Sequence, residues 1–370
     1  MEQQTVTPLV GLIVVGLAGA LNGTYALPLK KTPRWAWENT WLVYSVVGMV
    51  VAGWAMALCT VPHLPMVYAS AGREVIALVF VFGMLWGVAN FLFGKGIDLV
   101  GIGLAFPITI GLSLALGSLL TMAAKDPAAL VSGGGIATAL GVVVTIAGVT
   151  VCAVAGVQRE RIGWHALSDG EGCDDSDELR PSPRSGRGTR VPAQASRRRL
   201  VLGLGVVIVS GLFDPMLNFA FHFGGAIEDA ATAQGASPLA SSDALWVWPL
   251  LGSFVANAAY CSFLLTRNRT WQRYAQPGTL SHWGLAALMG VIWMASIALY
   301  GRGASLMGTY GKSVGWAVFY CAIILFSGLW GILSGEWRAA KSRPLRTMLA
   351  GLAVLLAALI VLGYGNSLLQ

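Results

Sequence analysis

Long apolar stretches separated by short polar ones run along the whole chain. Each stretch is about 20 residues long, the length that an α-helix needs to cross the hydrocarbon core of a membrane. The pattern predicts ten spanning helices, at residues 8–29, 41–61, 75–94, 99–123, 136–157, 200–224, 244–266, 281–301, 311–334 and 345–365. One connection, residues 158–199, is long and rich in Ser, Gly, Pro, acidic residues and arginine. It is predicted to be a disordered charged linker, because such a composition cannot bury enough apolar surface to fold.

The linker divides the chain into residues 1–157, 158–199 and 200–370, with five predicted spans on each side of it. Because five is an odd number, the second half enters the membrane from the side opposite to the first. The chain is therefore predicted to be an all-α membrane protein with ten transmembrane helices in two inverted five-helix repeats. Such a duplication is typical of secondary transporters.

A repeat within the sequence supports this division. Residues 83–101 recur as residues 290–308, so that Gly83, Trp86, Gly94, Gly96, Leu99 and Gly101 are matched by Gly290, Trp293, Gly301, Gly303, Leu306 and Gly308. Lys95 is matched by Arg302, whereas Asn90 is matched by Ile297. We interpret the shared residues as architecture, two helices joined by a glycine-rich turn. At the mismatched pair, Asn90 and Ile297, the two halves are expected to make different contacts with a substrate.

A second pair of matching segments predicts the site of transport. Residues 19–23 and 211–215 each place a glycine and, three residues later, a short polar side chain, Asn22 or Asp214, inside an apolar run. A helix-weakening residue follows, Gly23 in one segment and Pro215 in the other. Helices interrupted at matching positions of two halves are the best sequence indication of a binding site in such transporters.

Composition narrows the class of protein. Hydrophobic residues make up 56% of the chain and charged residues 11%, against about 25% charged residues in a soluble domain. The net charge of +7 comes mostly from cations in connections, so it indicates topology in a lipid bilayer rather than nucleic-acid binding. The five cysteines are scattered, and no metal-ligand spacing or nucleophile–base pair occurs. We therefore expect no disulfide, no metal, no cofactor and no enzymatic activity.

The distribution of lysine and arginine predicts the orientation. The segments that follow the odd-numbered spans carry 20 of these residues, and the other connections and both termini carry four. Without the linker the ratio is 11 to four. The excess places the odd-numbered connections and the linker in the cytoplasm and both termini outside. The residues after Met1 contain no basic cluster, so the first apolar run is expected to be a retained helix rather than a signal peptide.

Ionisable side chains inside a span are costly and mark functional sites by default. Asp214 lies in the middle of the sixth span and is the candidate proton-coupling residue and a candidate substrate ligand. The alternative interpretation is that it caps the helix that restarts at Pro215. Asn218 lies one turn further along the same face and is a second candidate ligand. His222, near the predicted end of the helix, is interpreted as an interfacial residue.

Side chains that donate and accept hydrogen bonds are the groups that recognise sugars. The candidates in the first half are Asn22, Tyr25 and Asn90. Aromatic faces stack on the apolar side of a sugar ring, and the candidates are Trp86, Trp293, Tyr300 and Trp316. The alternative for tryptophan is the belt at the membrane interface, to which we assign Trp35, Trp37, Trp41 and Trp271.

Several motifs carry a family resemblance: GTYALPLKK at residues 23–31, WAWENTW at 35–41, FGMLWG at 82–87, GIG at 101–103 and GEW at 335–337. They resemble segments of the bacterial L-rhamnose–proton symporters, which belong to the drug/metabolite transporter superfamily. The resemblance covers essentially the whole chain outside the linker. It implies a bacterial inner-membrane protein with ten helices in two inverted halves. It also implies import of L-rhamnose or a related monosaccharide by proton symport.

The chain departs from the family pattern at residues 310–313. Lys312 stands there in place of an aromatic and acidic stretch, so it is a candidate substrate contact, with an interfacial snorkelling lysine as the alternative. Two other functions remain open on the sequence. One is export of a metabolite or amino acid by the same fold, and the other is a sugar-responsive sensor whose linker binds a cytoplasmic partner. The sequence contains no signal of an oligomeric state.

Overall fold

All ten predicted spans are present as helices, and the all-α fold class is confirmed. The computed structural model describes residues 2–168, 193–335, 337 and 342–370. Within these residues the spans, numbered 1 to 10 in chain order, are Pro8–Lys31, Trp37–Thr60, Arg73–Val100, Leu104–Lys125, Gly133–Arg159, Leu200–Ala233, Ser241–Arg267, Leu280–Leu306, Gly311–Leu333 and Ser342–Leu368.

Six spans are carried by single helices and four by several pieces in the described part of the chain. The single helices are Arg73–Val100, Gly133–Ser168, Ser241–Arg267, Leu280–Leu306, Gly311–Leu333 and Ser342–Leu368. Span 1 is the helix Glu2–Asn22 and a 3-10 turn, Leu27–Lys31. Spans 2 and 4 contain π-helical turns, Val46–Ala52 between Trp37–Ser45 and Gly53–Thr60, and Ala115–Leu120 between Ile102–Leu114 and Thr121–Lys125. Span 6 consists of Ala193–Phe213, Met216–Phe223 and Gly225–Ala233, and short helices in connections are Leu64–Ala71, Pro127–Val131 and Trp271–Ala275.

The helices of spans 5 and 6 both extend into the segment that composition assigned to the linker. The helix of span 5 continues to Ser168, and the helix that leads into span 6 begins at Ala193. The boundaries of the helical halves are therefore wider than residues 157 and 200. The acidic cluster of the linker lies outside the described residues, so the linker's disorder stays a prediction.

The contacts between spans follow the same pattern in both halves. When every span is exchanged for its counterpart in the other half, five places away along the chain, each contact named here becomes another contact of the same set. Span 1 packs against spans 8 and 9, and span 6 packs against spans 3 and 4. Span 2 packs against span 8, span 3 packs against span 7, and spans 5 and 10 pack against each other. This is the pairing that two related halves would produce, so it supports the predicted repeat.

The repeated glycines lie where spans of opposite halves cross. A Cβ atom on Gly83 of span 3 would lie 1.8 Å from the carbonyl oxygen of Pro249 in span 7. The matched Gly290 of span 8 has the same role, because its Cβ would lie 2.7 Å from the amide nitrogen of Gly48 in span 2. Small residues let helices approach this closely inside a membrane. These contacts agree with the interpretation of the repeated residues as architecture.

Gly96 and Gly303 also occupy equivalent environments, whereas a Cβ on Gly94 would meet nothing within 4 Å and one on the matched Gly301 would lie 2.7 Å from Ser242. A Cβ on Gly96 would lie 2.5 Å from Val207 of span 6, and one on Gly303 would lie 2.8 Å from the side chain of Val15 in span 1. The glycines that end the two repeats have nearly equal φ angles, +81° at Gly101 and +83° at Gly308. Glycine reaches positive φ without steric cost, so the same turn closes both copies.

Replacing Gly83 by alanine should separate spans 3 and 7 and destabilise the protein. We expect Gly83→Ala to cost about 1–3 kcal/mol, the usual cost of overpacking a close contact, and to lower the melting temperature in detergent. Gly94→Ala is the matched control in the same span, because a Cβ there meets nothing within 4 Å. Equal melting temperatures for the two variants would contradict the role of Gly83.

Candidate functional site

The predicted interruptions of spans 1 and 6 are confirmed. The first helix of span 1 ends at Asn22, and the first helix of span 6 ends at Phe213, immediately before Asp214. Pro215 lacks the backbone N–H that a continuing helix would need, and the helix restarts at Met216. Backbone that is not helical at membrane depth is tolerated where it lines a cavity. The breaks therefore place Asn22 and Asp214 at matching positions of the two halves.

A cavity of about 180 Å³ lies between the halves at these breaks. Its walls come from spans 1, 2, 3, 6, 8 and 9, and seven of the ten candidate residues line it, namely Asn22, Tyr25, Trp86, Asn90, Asp214, Trp293 and Trp316. The other lining residues are Trp41, Tyr44, Leu217, Ile297, Phe319, Tyr320 and Ile323. The volume is below the ~300–1,000 Å³ of pockets for drug-sized ligands. The cavity therefore suits a small ligand.

Aromatic rings form most of the cavity wall. Trp86 and Trp293, which occupy matched positions of the repeat, stack with their centroids 5.9 Å apart and 18° between the planes. Tyr44 meets Trp293 edge-on at 5.9 Å, and Tyr25 stacks on Tyr44 at 5.4 Å. Rings in such contacts hold one another in place. The stack of the two matched tryptophans joins spans 3 and 8 at the cavity.

Asp214 faces the cavity from the break in span 6. The side chain is half-buried, and the hydroxyl of Tyr320 donates a hydrogen bond to its Oδ2 at 2.5 Å. Among the described residues no cation forms a salt bridge with Asp214. A carboxyl group without a counter-ion at membrane depth is a candidate carrier of protons.

Asn90 and Asn22 lie in different surroundings although both face the cavity. The Asn90 side chain makes no hydrogen bond within the described part of the chain, so its amide is available to a ligand. Its backbone neighbour Ala89 accepts a hydrogen bond from Ser210, one turn before Asp214, at 3.0 Å. Asn22 instead donates to the hydroxyl of Ser296 at 2.9 Å.

Asn218, Tyr300 and Lys312 were predicted to bind substrate, but the structure does not bring them to the cavity. Asn218 and Tyr300 are fully buried, and the tyrosine hydroxyl donates to Asn218 Oδ1 at 2.7 Å. The Asn218 amide donates to the carbonyl oxygens of Gly117, at 2.7 Å, and Lys312, at 3.2 Å. The break at Pro215 ends the continuous helix on which Asn218 was placed beside Asp214. These residues therefore bond spans 4, 6, 8 and 9 to one another outside the cavity instead of lining it.

The side chain of Lys312 is occupied by span 6. Its ammonium group donates to the carbonyl oxygen of Phe221 at 2.9 Å and lies 4.2 Å from the centre of the phenylalanine ring. It also forms a salt bridge with Glu228, in which the lysine side chain is 24% and the glutamate side chain 14% exposed. The interpretation of Lys312 as a substrate contact is not supported by this placement, because its three contacts are all with the protein.

Some residues at the cavity were missed by sequence reasoning. Trp41, assigned to the interfacial belt, lines the cavity and donates to Asn257 Oδ1 at 3.0 Å. Trp35, assigned to the same belt, is buried at 5% exposure. Tyr44 and Tyr320 carry no sequence signal, because a tyrosine in an apolar run reveals its partner only once the spans pair. The belt assignment fits Trp37 and Trp271, which are 41% and 45% exposed.

A buried carboxylate in span 7 was also missed. Asp243 is fully buried, with Arg302 at 2.6 Å and the hydroxyl of Thr60 at 2.9 Å from its Oδ2. Arg302 is thus paired inside the protein, whereas the matched Lys95 pairs with Asp98 at 3.9 Å on an exposed surface. The repeated cation therefore has different partners in the two halves.

Comparison with known proteins identifies the family. The family model described as L-rhamnose-proton symport protein matches residues 5–168 and 187–367. The chain belongs to this family. A symport protein moves its substrates without converting them, so the prediction that the chain is not an enzyme is confirmed.

Relatives named L-rhamnose-proton symporter align with nearly the whole chain. An L-rhamnose-proton symporter of Klebsiella pneumoniae is 25% identical over 359 residues, which are 95% of this chain and 96% of the relative. Proteins of the same name from Shigella boydii and Escherichia coli are 25% and 24% identical, with the same coverage. This membership agrees with the resemblance of the sequence motifs and with a multi-pass membrane transporter.

Asn218 and Asn90 should respond differently to replacement by leucine. Asn218→Leu leaves the buried Tyr300 hydroxyl with only its longer bond, to the carbonyl oxygen of Lys312 at 3.2 Å, and removes the donor of the Gly117 carbonyl oxygen. Loss of these buried partners should cost about 1–3 kcal/mol and lower the melting temperature. Asn90→Leu removes no hydrogen bond within the described residues and should leave the melting temperature within a degree or two. A thermal unfolding series in detergent measures both, and a larger loss for Asn90→Leu would contradict the placement of the two side chains.

Proposed function

We propose that this protein imports L-rhamnose or a closely related monosaccharide together with protons. The observation that carries the proposal is the Asp214 carboxyl group, which forms no salt bridge among the described residues, in a cavity of about 180 Å³ within a member of the L-rhamnose-proton symport family. The relatives that bear this name align over 95% of the chain. Import, rather than export or sensing, is the function that this combination supports best.

The cavity contains the groups that sugar recognition requires. The amides of Asn22 and Asn90 donate and accept hydrogen bonds with ring hydroxyls. The indole rings of Trp86 and Trp293 supply apolar faces for the C–H side of the sugar ring. Because the Asn90 amide has no hydrogen bond within the described residues, a sugar hydroxyl binds there without displacing a protein contact.

Asp214 is proposed to carry the proton. A charged carboxylate in the membrane interior is costly unless it is paired, and Asp214 has Tyr320 as its hydrogen-bond donor but no salt bridge among the described residues. Protonation makes the side chain neutral and gives it an O–H donor beside its remaining acceptor capacity, so that it can both donate to and accept from sugar hydroxyl groups. Proton and sugar then occupy one site, which ties the movement of one to the movement of the other.

Exchange of conformation between the two halves is proposed to expose the site to each side in turn. In the present conformation the helices pack more tightly on the side of the membrane that carries the even-numbered connections than on the opposite side. Span 9 is almost entirely buried from Gly311 to Ala322, whereas no side chain from Ile323 to Leu333 is fully buried. Under the predicted orientation the loosely packed end faces the cytoplasm, so this conformation would receive or release substrate there.

Uptake of labelled L-rhamnose in transporter-deficient cells tests the function. One proton that moves down a membrane potential of 100 mV supplies ~2.3 kcal/mol, which corresponds to a concentration ratio of about 50. We expect the wild type to accumulate the sugar by at least this order and to lose accumulation when an uncoupler collapses the gradient. Uptake that is unaffected by the uncoupler would contradict proton symport.

Asp214→Asn separates coupling from binding in the same assay. The amide keeps the size and hydrogen-bonding capacity of the side chain but does not take up and release a proton. We expect loss of accumulation with retention of exchange between internal and external sugar. Asp98→Asn is the matched control, because Asp98 is 71% exposed and lies outside the cavity. Normal proton-driven accumulation in Asp214→Asn would remove Asp214 from the mechanism.

Reporter fusions test the proposed orientation. Alkaline phosphatase fused after Gln370 should be active, and green fluorescent protein at the same point should be dark, because the carboxyl terminus is predicted to lie outside. Fusions after Asn268, in the odd-numbered connection between spans 7 and 8, should give the reverse result. Cytoplasmic signals from the carboxyl terminus would overturn the orientation but not the fold.

A further inference from the structure

At the cavity the two halves share one matched pair of residues, Trp86 and Trp293, and differ at another, Asn90 and Ile297. Trp86 and Trp293 stack across the junction of spans 3 and 8, and each helix continues by four residues to Asn90 or Ile297. Residues four apart lie on the same face of a helix, and both of these side chains line the cavity. The two halves thus present an amide at one position and a branched alkyl group at the equivalent position.

Polar groups gather at the Asn90 position. Ser210 donates to the carbonyl oxygen of Ala89 at 3.0 Å, which ties the backbone beside Asn90 to the turn before Asp214. The Asp214 carboxyl group lines the same cavity and is bonded to Tyr320. Ring hydroxyl groups have the Asn90 amide and the Asp214 carboxyl group as hydrogen-bond partners in this cavity.

Apolar groups gather at the Ile297 position. Tyr300, three residues further along span 8, stacks on Phe319 at 4.8 Å and so brings the phenylalanine to the same wall as Ile297. Asn22 is also nearby, but its amide donates to Ser296 at 2.9 Å. A hydroxyl group placed against Ile297 and Phe319 would lose its water and gain no partner from these two side chains, which is unfavourable.

We infer that Ile297 is a specificity-determining residue that, together with Phe319, receives the methyl group of a 6-deoxyhexose. The hydroxyl-bearing edge of the same ring then lies toward Asn90 and Asp214. This inference rests on the proposed function and adds to it the orientation of the sugar and the reason for a preference. The mismatch between Asn90 and Ile297 gives an otherwise symmetric site a polar and an apolar end.

Competition between L-rhamnose and L-mannose, which carries a hydroxyl group on the carbon of the rhamnose methyl group, tests the assignment. We expect the wild type to prefer L-rhamnose in kcat/KM by at least about fivefold, the lower end of the penalty for a hydroxyl group that is buried without a hydrogen-bond partner. Ile297→Asn, which installs the residue of the matched position, should bring the ratio to about one or reverse it. Ile297→Val keeps an alkyl wall and should keep the preference for L-rhamnose.

Asn90→Leu is the control at the opposite end of the cavity. It should lower kcat/KM for both sugars by a similar factor and leave their ratio near that of the wild type. Ile297→Thr gives a second, smaller polar variant if the asparagine variant does not reach the membrane, as judged by quantitative immunoblotting of membranes.

The outcomes separate this assignment from the proposed function. A wild-type ratio in both Ile297→Asn and Ile297→Thr, with L-rhamnose uptake intact, overturns the role of Ile297 alone. Absence of uptake of either sugar by the wild type overturns the proposed function and the assignment together. A ratio that moves in Asn90→Leu as much as in Ile297→Asn places the methyl group elsewhere in the cavity.

Discussion

Close approach of helices from opposite halves is the constraint on which the rest of the structure depends. Spans 3 and 7 meet at Gly83 and Pro249, and spans 2 and 8 meet at Gly48 and Gly290, with no room for a side chain at any of the three glycines. Inside a lipid bilayer the hydrophobic effect does not drive helices together. Close backbone contacts of this kind stabilise the association through van der Waals packing instead. Trp86 and Trp293 lie one turn beyond the glycines at 83 and 290, and their stack therefore forms where the halves are held together.

The cavity is a consequence of the same arrangement combined with two broken helices. A continuous helix satisfies its own backbone, and a break exposes polar groups that lipid does not solvate. In this protein the breaks at Asn22 and Pro215 lie between the halves, where a cavity replaces lipid. The polar side chains at the breaks, Asn22 and Asp214, have partners in Ser296 and Tyr320 from the second half. Interruption of the helices and recognition of a polar ligand thus share one location.

Much of this architecture could be predicted from sequence because it depends on local pattern. Apolar length predicts the spans, and a residue that weakens a helix predicts the breaks, so Asn22 and Asp214 were found without any knowledge of pairing. Residues whose role depends on which spans meet could not be found in this way. Trp41 has the sequence context of an interfacial residue, yet packing against span 7 turns it into the cavity wall. Asn218 was assigned to the cavity because helical periodicity was extended through Pro215, where the helix in fact restarts.

The residues behind the cavity connect it to the tightly packed end of the molecule. The pieces of span 6 that follow Asp214 carry Asn218, Phe221 and Glu228, and all three contact Lys312 at the start of span 9. Two of these contacts use backbone carbonyl oxygens, so they fix the relative position of the two segments as well as their side chains. A buried ion pair is costly to break by loss of one partner, and the salt bridge between Lys312 and Glu228 is largely buried. Any movement of the segment after Pro215 must therefore carry the start of span 9 with it or break these contacts. The segment of span 6 that follows Asp214 and the start of span 9 are in this way held together as one unit. This unit closes the end of the molecule that carries the even-numbered connections.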